Sequence, residues 1–454
     1  MTTLTDRLNG LADDAPGGAD PADEALWTRG KRLQRRRQAV TASLVAVLVL
    51  AIGSITFLVG DSRPDPVPVA DSPTALPLPD AIYEVSEWTP GTDETGPIGP
   101  LVAVTGGYRH LSTWGKATVG VAGVSAAGGY AYLDIEDPAG IDPADERIAL
   151  SPDGRFLAYL VTGPTTDEPY TEYGEPAVGL GLYDTVTGET RRSDISTPHG
   201  LSVDALTWVG DSVLMSYLQI NGFGSDGDGG SHVSASNPAV LRWDTGSGVV
   251  DPAADARDYP DLDLASQAGD EVVVPRGRRS YSIMAEDGTT EPLGRFDVPI
   301  DYVPVFLSPD GARVVTREDR DGAAVTGRVP SVVVVADVDG PDAGVTRRLD
   351  EELSGPVIGW RDDSHVIVTG FLDDEQVDTY ISVDVDTGER EELLEMPRVS
   401  TAFPTQIAAD ALPGPTLAAP EPNGPGDPRR IVWLGGGILV LLAGAALWRR
   451  RVRR

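Results

Sequence analysis

The sequence predicts an all-β fold, a single β-propeller flanked by two transmembrane α-helices. A strand–turn–strand pattern recurs at intervals of about 40 to 60 residues through the middle of the chain. One long uncharged apolar segment stands on each side of that repeated region. With 454 residues, 41% of them hydrophobic, the chain is long and apolar enough to bury a core.

The composition excludes several classes of function. There are 36 Lys and Arg against 70 Asp and Glu, a formal net charge of −34, and phosphate binding needs clustered cations, so no nucleic-acid partner is expected. The chain has no cysteine and only four histidines, which removes disulfides, thiolate metal sites and cysteine nucleophiles. No resident cofactor or metal is predicted.

The first predicted element is an N-terminal arm, residues 1–37, that ends in a basic cluster. Residues 38–60 follow as a transmembrane helix, because 39–60 are uncharged and span about 33 Å as a helix. The positive-inside rule places the arm in the cytoplasm, where the basic cluster suits anionic lipid headgroups. A cleaved signal peptide is the alternative, but no A-x-A site precedes Asp61.

The second predicted helix is 431–448, and the Arg-rich tail 449–454 that follows it is also predicted to be cytoplasmic. Residues 1–37 hold 7 basic and 6 acidic groups and 429–454 hold 7 and 0, so 22 basic and 64 acidic groups, net −42, remain in 38–428. We therefore predict a two-pass plasma-membrane protein with both termini inside and an acidic extracytoplasmic domain, 81–410. The Pro-rich segments 61–80 and 411–430 are predicted to be extended linkers.

The repeated unit begins with a large apolar residue, two variable positions, an Asp, a Gly or Ser, and then a strand. Clear copies begin at Leu150, Trp208, Leu307 and Trp360, and a weaker copy begins at Ala268. The shared turn aspartates are Asp153, Asp211, Asp270, Asp310 and Asp363. Asp accepts backbone N–H bonds in tight turns and Gly supplies a positive φ, so these positions are predicted to be structural.

A second hairpin recurs in the same phase, at Asp184, Asp244, Glu286, Asp337 and Asp384. Each interval then holds four antiparallel strands, which is the period of a propeller blade. The SPDG units at Ser151 and Ser308 resemble the WD-repeat-like, TolB-type propeller repeat. That resemblance covers about residues 145–396 and implies a fold but no single activity.

Five blades are visible, and residues 81–135 contain strands for one or two more, so seven blades are expected, with six as the alternative. An early strand is expected to complete the last blade, because closure removes exposed sheet edges and sets the two ends of the domain side by side.

The candidate binding residues lie in the long second loops of the blades, 162–176, 219–237 and 319–330. These loops are expected to gather on one face, opposite the Asp turns, where binding sites are common on rigid scaffolds. The candidates are Tyr170, Glu172, Tyr173, Asp226, Asp228 and His232. The loop that holds Asp226 and Asp228 lacks the closing Glu of an EF-hand, which favours a flexible Gly-rich linker. A weak divalent-cation site at these two aspartates is the alternative.

These observations predict that the protein is not an enzyme, because no catalytic motif stands out. We expect an extracytoplasmic binding or scaffold module for an unknown protein or envelope glycan. The alternative is a transmembrane sensor, similar to anti-sigma proteins, that signals through residues 1–37 to a cytoplasmic regulatory protein. An envelope hydrolase is the third interpretation.

Overall fold

The computed structural model describes residues 76–139, 148–171, 175–225, 231–251, 262–263, 265–277, 279–296, 304–319, 331–349, 356–371, 377–397, 405–419, 421–422, 427–429, 443–449 and 451. The chain divides into two compact units, residues 68–426 and, separately, residues 1–67 with 427–454.

The described part of residues 68–426 is built mainly from antiparallel strands. Four sheets have four strands each, and one nine-stranded sheet consists of two further four-stranded units, joined through the single pair of Ala177 with Leu201, with one added strand. We number these six four-stranded units as sheets 1 to 6 in chain order. Sheet 1 contains Gln406–Ile407, Leu101–His110, Ala117–Ser125 and Tyr130–Tyr132. Sheet 2 contains Ile148–Leu150, Phe156–Thr162, Ala177–Asp184 and Thr190–Asp194. Sheet 3 contains Leu201–Val209, Ser212–Ser225, Ala239–Asp244 and Val250–Asp251, with Ser231–Ala235 paired to the end of its long second strand.

The remaining three sheets have the same order. Sheet 4 contains Ser266–Ala268, Glu271–Gly277, Ser280–Met284 and Thr290–Arg295. Sheet 5 contains Phe306–Leu307, Arg313–Asp319, Ser331–Asp337 and Thr346–Arg348. Sheet 6 contains Val357–Trp360, His365–Phe371, Val377–Asp384 and Arg390–Pro397. Two short helical turns, Thr92–Thr95 and Ala409–Ala411, lie outside the sheets.

This layout confirms a mostly β structure and is consistent with a β-propeller. The preferred number of seven blades is not matched: the described residues hold six such sheets, the number given as the alternative. Residues 81–135, from which one or two blades were expected, supply three strands of sheet 1, and their first part, 81–100, forms only isolated bridges and the short helix.

The hydrophobic core lies between consecutive sheets. Separate clusters of buried side chains join sheets 2 and 3, 3 and 4, 4 and 5, and 5 and 6. The largest cluster contains Leu101 of sheet 1, Leu157 of sheet 2 and Ile367 of sheet 6. Two buried tryptophans reach back to the preceding sheet: Trp208 Nε1 donates to Ala149 O at 2.9 Å, and Trp360 Nε1 donates to Phe306 O at 3.0 Å.

An early strand was expected to complete the last sheet, but the structure shows a late strand completing the first sheet. The late strand Gln406–Ile407 completes sheet 1 by pairing with Ala103 and Val104. The side chain of Gln406 then bridges to sheet 2, donating to Ile148 O at 2.8 Å and accepting from Leu150 N at 3.1 Å. The early segment also contributes, since Ala81 bridges Glu395 in the last strand of sheet 6.

Parts of both predicted linkers pair with each other. Leu78–Pro79 and Thr416–Leu417 form a parallel two-stranded ribbon. The pairing arises because Leu78 is buried in the core, which brings the backbone of one linker beside the other.

Each sheet has two ends that differ in kind. The first and third turns share one end, as the bonds from Thr185 N to Arg155 O and from Thr245 N to Asp211 O establish. We call this end the Asp-turn face. The second turns and the connections to the next sheet lie at the other end, the loop face.

The turn aspartates take the predicted positions, with one correction. Asp153 and Asp310 each accept from the hydroxyl of the Ser two residues earlier and from the backbone N–H two residues later. Asp211 and Asp270 lie in the corresponding turns. In sheet 6 Asp362 accepts the bonds from Ser364 N and His365 N, whereas Asp363 accepts from Asp310 N of the neighbouring sheet at 3.0 Å. The shift occurs because the Ser of this turn stands after the aspartates.

Within the described residues, no helix is long and apolar enough to cross a membrane. The predicted spans 38–60 and 431–448 lie outside the described residues, apart from the helical residues 443–448.

Candidate functional site

The loop after the second strand of sheet 2 is fixed to the connection that leads into sheet 3. Three backbone hydrogen bonds join them: Thr166 N to Thr197 O (3.0 Å), Asp167 N to Pro198 O (2.9 Å) and Tyr170 N to His199 O (2.9 Å). A loop held by three backbone bonds is positioned by the scaffold, so its side chains are presented in defined places.

The connection itself is shaped by one buried threonine and one glycine. Thr197 Oγ1 donates to Gly200 O at 2.7 Å and accepts from Gly200 N at 3.2 Å. Gly200 has φ +118°, and a Cβ there would lie 2.9 Å from the Cβ of Pro176. Only glycine suits this position, and its carbonyl also accepts from Ile220 N at 3.0 Å, which ties the connection to sheet 3.

Sheet 3 extends beyond its neighbours as a hairpin formed by the end of Ser212–Ser225 and Ser231–Ala235. Phe223 pairs directly opposite Val233, and both side chains are exposed. Directly opposite side chains share one face of a hairpin, so this pair forms a small apolar surface at the loop face.

Phe223 completes a cluster of three aromatic rings. Its ring centroid lies 5.2 Å from that of Tyr170 and 5.2 Å from that of His199, the latter edge-on at 83°. These separations and angles are favourable for ring contacts. The cluster joins the loop of sheet 2, the connection and the hairpin of sheet 3 into one surface.

The tautomer of His199 follows from its contact. Its Nδ1 lies 2.6 Å from the carbonyl oxygen of Glu168, which can only accept, so Nδ1 carries the proton. Nε2 is therefore the ring atom left to accept a hydrogen bond from a ligand when the imidazole is neutral.

Exposed acidic side chains stand in two segments attached to sheet 2. The connection from sheet 1 to sheet 2 presents exposed Asp134, Glu136 and Asp137, and the neighbouring loop presents exposed Asp167 and Glu168. The connection is anchored by buried Tyr159, whose hydroxyl donates to Glu136 O at 3.1 Å. Burial raises the pKa of Tyr159 to about 12, so it stays a neutral donor at physiological pH.

The structure places the predicted site residues unequally. Tyr170 lies in the aromatic cluster. Glu172, Tyr173, Asp226 and Asp228 lie outside the described residues. His232 stands in the hairpin strand opposite Gly224. No group of three or more His, Asp or Glu that could hold a metal occurs among the described residues; the predicted cation site at Asp226 and Asp228 lies outside them.

Sequence reasoning missed Phe223 and His199. Phe223 belongs to the loop 219–237, from which only Asp226, Asp228 and His232 were predicted as binding residues. A single large ring among glycines was the signal that the sequence offered for Phe223. His199 was interpreted as one of four scattered histidines. Its role depends on backbone bonds between two distant segments, which no local pattern reveals.

No protein-family model matches the chain, and no curated protein sequence matches it. Many solved structures resemble it, and two of them are an oligogalacturonate lyase and a hydrazine synthase. An oligogalacturonate lyase in complex with manganese has a TM-score of 0.36 and 14% sequence identity, and the match covers 61% of this chain and 70% of that one. The hydrazine synthase of Kuenenia stuttgartiensis has a TM-score of 0.27 and 15% identity, with 56% and 80% covered.

The prediction that the protein is not an enzyme is wrong as it was stated. The finding against it is that one of the solved structures resembling the chain is a lyase. The likeness is too low to carry any argument about a reaction, a substrate or a metal for this chain. The resemblance to WD-repeat-like, TolB-type repeats has no matching family model, and its support is the sheet layout.

Proposed function

We propose that the protein is a membrane-anchored β-propeller of six blades whose loop face binds a protein or an envelope glycan outside the cytoplasm. The observation that carries the proposal is the cluster of Tyr170, His199 and Phe223, which three chain segments build at one end of a rigid scaffold. Phe223 is exposed and the rings of Tyr170 and His199 are half-buried beside it, so the exposed ring is fixed in place. Aromatic side chains held in this way are typical anchors of binding surfaces.

The ring of six blades is supported by packing and by the chain ends. Buried clusters link each sheet to the next, and one cluster holds residues of sheets 6, 1 and 2. Gln406 brings the end of the domain to both sheet 1 and sheet 2. A ring with no open edge strand would give the loop face a stable base.

The anchor and the location are supported by the sequence. Two uncharged segments with cationic flanks enclose a region of net charge −42, which is the charge division expected of a two-pass protein with an outer domain. A sensor that signals through residues 1–37 would use the same loop face, and deletion of residues 1–28 separates the two interpretations.

The test compares one exposed apolar residue at each end of sheet 3. Full-length protein in lipid nanodiscs is mixed with isolated cell-wall polymer and, separately, with solubilised envelope proteins. Phe223→Ala should lower binding about tenfold or more. Val249→Ala, at the Asp-turn face, is the matched control and should bind like the unaltered protein.

Two outcomes would overturn the proposal. Equal binding by the unaltered protein and Phe223→Ala would remove the loop face as the site. Release of a soluble product from the polymer, retained in Phe223→Ala, would show that the main activity is catalytic and lies elsewhere. Loss of a cellular response after deletion of residues 1–28, with binding intact, would favour the sensor.

A further inference from the structure

A second hairpin on the loop face repeats the arrangement around Phe223. In sheet 1, Leu101–His110 and Ala117–Ser125 form a hairpin in which Tyr108 pairs directly opposite Val119. In sheet 3, Phe223 pairs directly opposite Val233 in the same way. All four side chains are between 38 and 45% exposed. Two of the six sheets thus present an aromatic–valine pair to solvent at the same end.

The tip of the sheet 1 hairpin adds two more apolar side chains. Leu111 and Trp114 are each 69% exposed. The tip is held in place, because Gly115 N donates to Ser112 O at 3.1 Å and His110 Nδ1 lies 3.1 Å from Gly115 O. Side chains of this size exposed together on a braced hairpin favour an interaction site over a mobile loop.

The base of the same hairpin is held by contacts with Glu87 and Trp88. The ring of His110 stacks on Trp88 with centroids 4.3 Å apart, and its Nε2 lies 3.1 Å from a carboxylate oxygen of Glu87. His110 N also donates to Glu87 O at 2.8 Å. The position of the exposed tip is therefore set before any partner arrives, which lowers the entropic cost of docking.

The charge around these apolar side chains has one sign. Six exposed acids lie in segments that border the loop face of sheets 1 and 2: Glu84, Glu87, Glu136, Asp137, Asp167 and Glu168. Among the described cations of this region, Arg109 pairs with Asp93 and Glu94, and Arg192 pairs with Asp137 and Asp194. Lys116 is the one lysine of residues 38–428.

We propose that the loop face of sheets 1 to 3 docks a cationic polypeptide segment that carries aromatic or aliphatic side chains between its Lys and Arg residues. The aromatic–valine pairs and the hairpin tip receive the apolar side chains, and the surrounding carboxylates attract the cations. Anionic envelope polymers would be repelled by this surface. The inference rests on the proposed function and narrows its partner to a protein.

The test uses a labelled 20-residue peptide of Lys, Leu and Trp and measures fluorescence anisotropy with full-length protein in zwitterionic nanodiscs, with empty nanodiscs as the blank. The peptide should bind, and binding should weaken about tenfold or more between low and physiological salt, because exposed charges are then screened. The same peptide with Glu in place of Lys should not bind.

Location is tested with matched variants. Leu111→Ser combined with Trp114→Ser should lower peptide binding about tenfold, and Phe223→Ala should lower it too. Val345→Ser, an exposed valine at the Asp-turn face, should leave it unchanged. Circular dichroism checks that each variant is folded.

The outcomes separate this inference from the proposed function. Peptide binding that is indifferent to salt or unaffected by the tip variant overturns the inference, since the charge or the hairpin is then not used. If a neutral oligosaccharide binds and is lost in Phe223→Ala while the peptide does not bind, the proposed function stands and the inference fails. If binding of the peptide, of the oligosaccharide and of every envelope fraction is unchanged by the loop-face variants, both the proposed function and this inference fail.

Discussion

The two ends of the sheets differ in what holds them. At the Asp-turn face, side chains satisfy the backbone of their own turns: Asp184 Oδ1 accepts from Val186 N and Thr187 N, and Asp384 Oδ1 accepts from Asp386 N and Thr387 N. At the loop face, distant segments hold one another, as Tyr170 and His199 do. Turn hydrogen bonds between neighbouring residues can be predicted from the sequence, whereas contacts between distant segments depend on the fold.

The comparison also separates stability from function. The Asp-turn face is made of short turns whose aspartates accept backbone hydrogen bonds, and substitutions there should change the free energy of unfolding. The loop face carries exposed rings and acids, and its substitutions should change binding with little effect on folding.

The largest expected effect is at Gly154, in the first SPDG turn. It has φ +69°, its carbonyl accepts from Leu101 N at 2.8 Å, and an added Cβ would lie 1.8 Å from the Leu101 carbonyl oxygen. Gly154→Ala should lower the free energy of unfolding by about 3 kcal/mol or more, from the left-handed backbone and the clash together. Urea denaturation measures it.

Gly311, in the second SPDG turn, is the matched control for Gly154. It has φ +73° but nothing within 4 Å of an added Cβ. Gly311→Ala should cost about 1 kcal/mol, the backbone penalty alone. Equal costs at the two glycines would show that Gly154 does not pack against sheet 1 as described.

The next effect is at Gln406, which bridges the closing strand of sheet 1 to sheet 2. Gln406→Ala removes the bonds to Ile148 O and Leu150 N and should lower the free energy of unfolding by about 2 kcal/mol. Gln267→Ala, whose exposed side chain bonds within its own turn, should have a much smaller effect. A cost near zero at Gln406 would argue against closure through this strand.

A smaller effect is expected at Asp362. Partial burial raises the pKa of its carboxyl, but hydrogen bonds from Ser364 and His365 outweigh burial and lower the pKa to about 2. Asp362→Ala should cost about 1 kcal/mol at pH 7 by removing the turn bonds. Because the folded pKa lies below the unfolded value of about 3.9, the contribution is present above that value and lost as the pH falls through about 2.

The smallest expected change in the free energy of unfolding is at Asp410, and it is an increase. Desolvation, followed by the charges of Asp153 and Asp270, raises its pKa. Since the folded pKa lies above the unfolded value, ionised Asp410 destabilises the fold once the pH exceeds the folded pKa. Asp410→Asn should add a few tenths of a kcal/mol at pH 7, because the exposed site is screened by solvent.

That gain at Asp410 should fade as the pH falls through the folded pKa toward about 3.9, the unfolded value, and disappear below it. Thermal unfolding of the unaltered protein and of Asp410→Asn, at pH 7 and at pH 3, measures the gain in stability at each pH. A gain at pH 3 as large as that at pH 7 would mean that the charge of Asp410 is not the cause.

Much of the fold was predictable because its signals are local. The alternation of apolar residues and the Asp and Gly turns identified the sheets from 148 onward, and Asp153 and Asp310 bond as their SPDG motifs predicted. The role of Asp362 in place of Asp363 was missed, because the repeat aligned Asp363 with Asp153 and Asp310, although the Ser of this turn stands after the aspartates.

The number of sheets and the candidate site were predicted less well. Residues 81–100 have strand-like composition, but Ala81 runs along the edge of sheet 6 and Thr92–Thr95 form a helical turn, which depends on contacts far away in sequence. Tyr170 was found because it lies in a long loop. Its partners Phe223 and His199 come from two other segments, so their proximity is a tertiary property.

The central claim, that the loop face and not the Asp-turn face is the binding surface, is tested most directly by site-specific photo-cross-linking in living cells. A photoreactive amino acid is placed at Phe223 in one variant and at Val249 in the other, at opposite ends of the same sheet. The account predicts a discrete cross-linked product at position 223 and none at position 249. Products of equal yield at both positions, or at 249 alone, would contradict it.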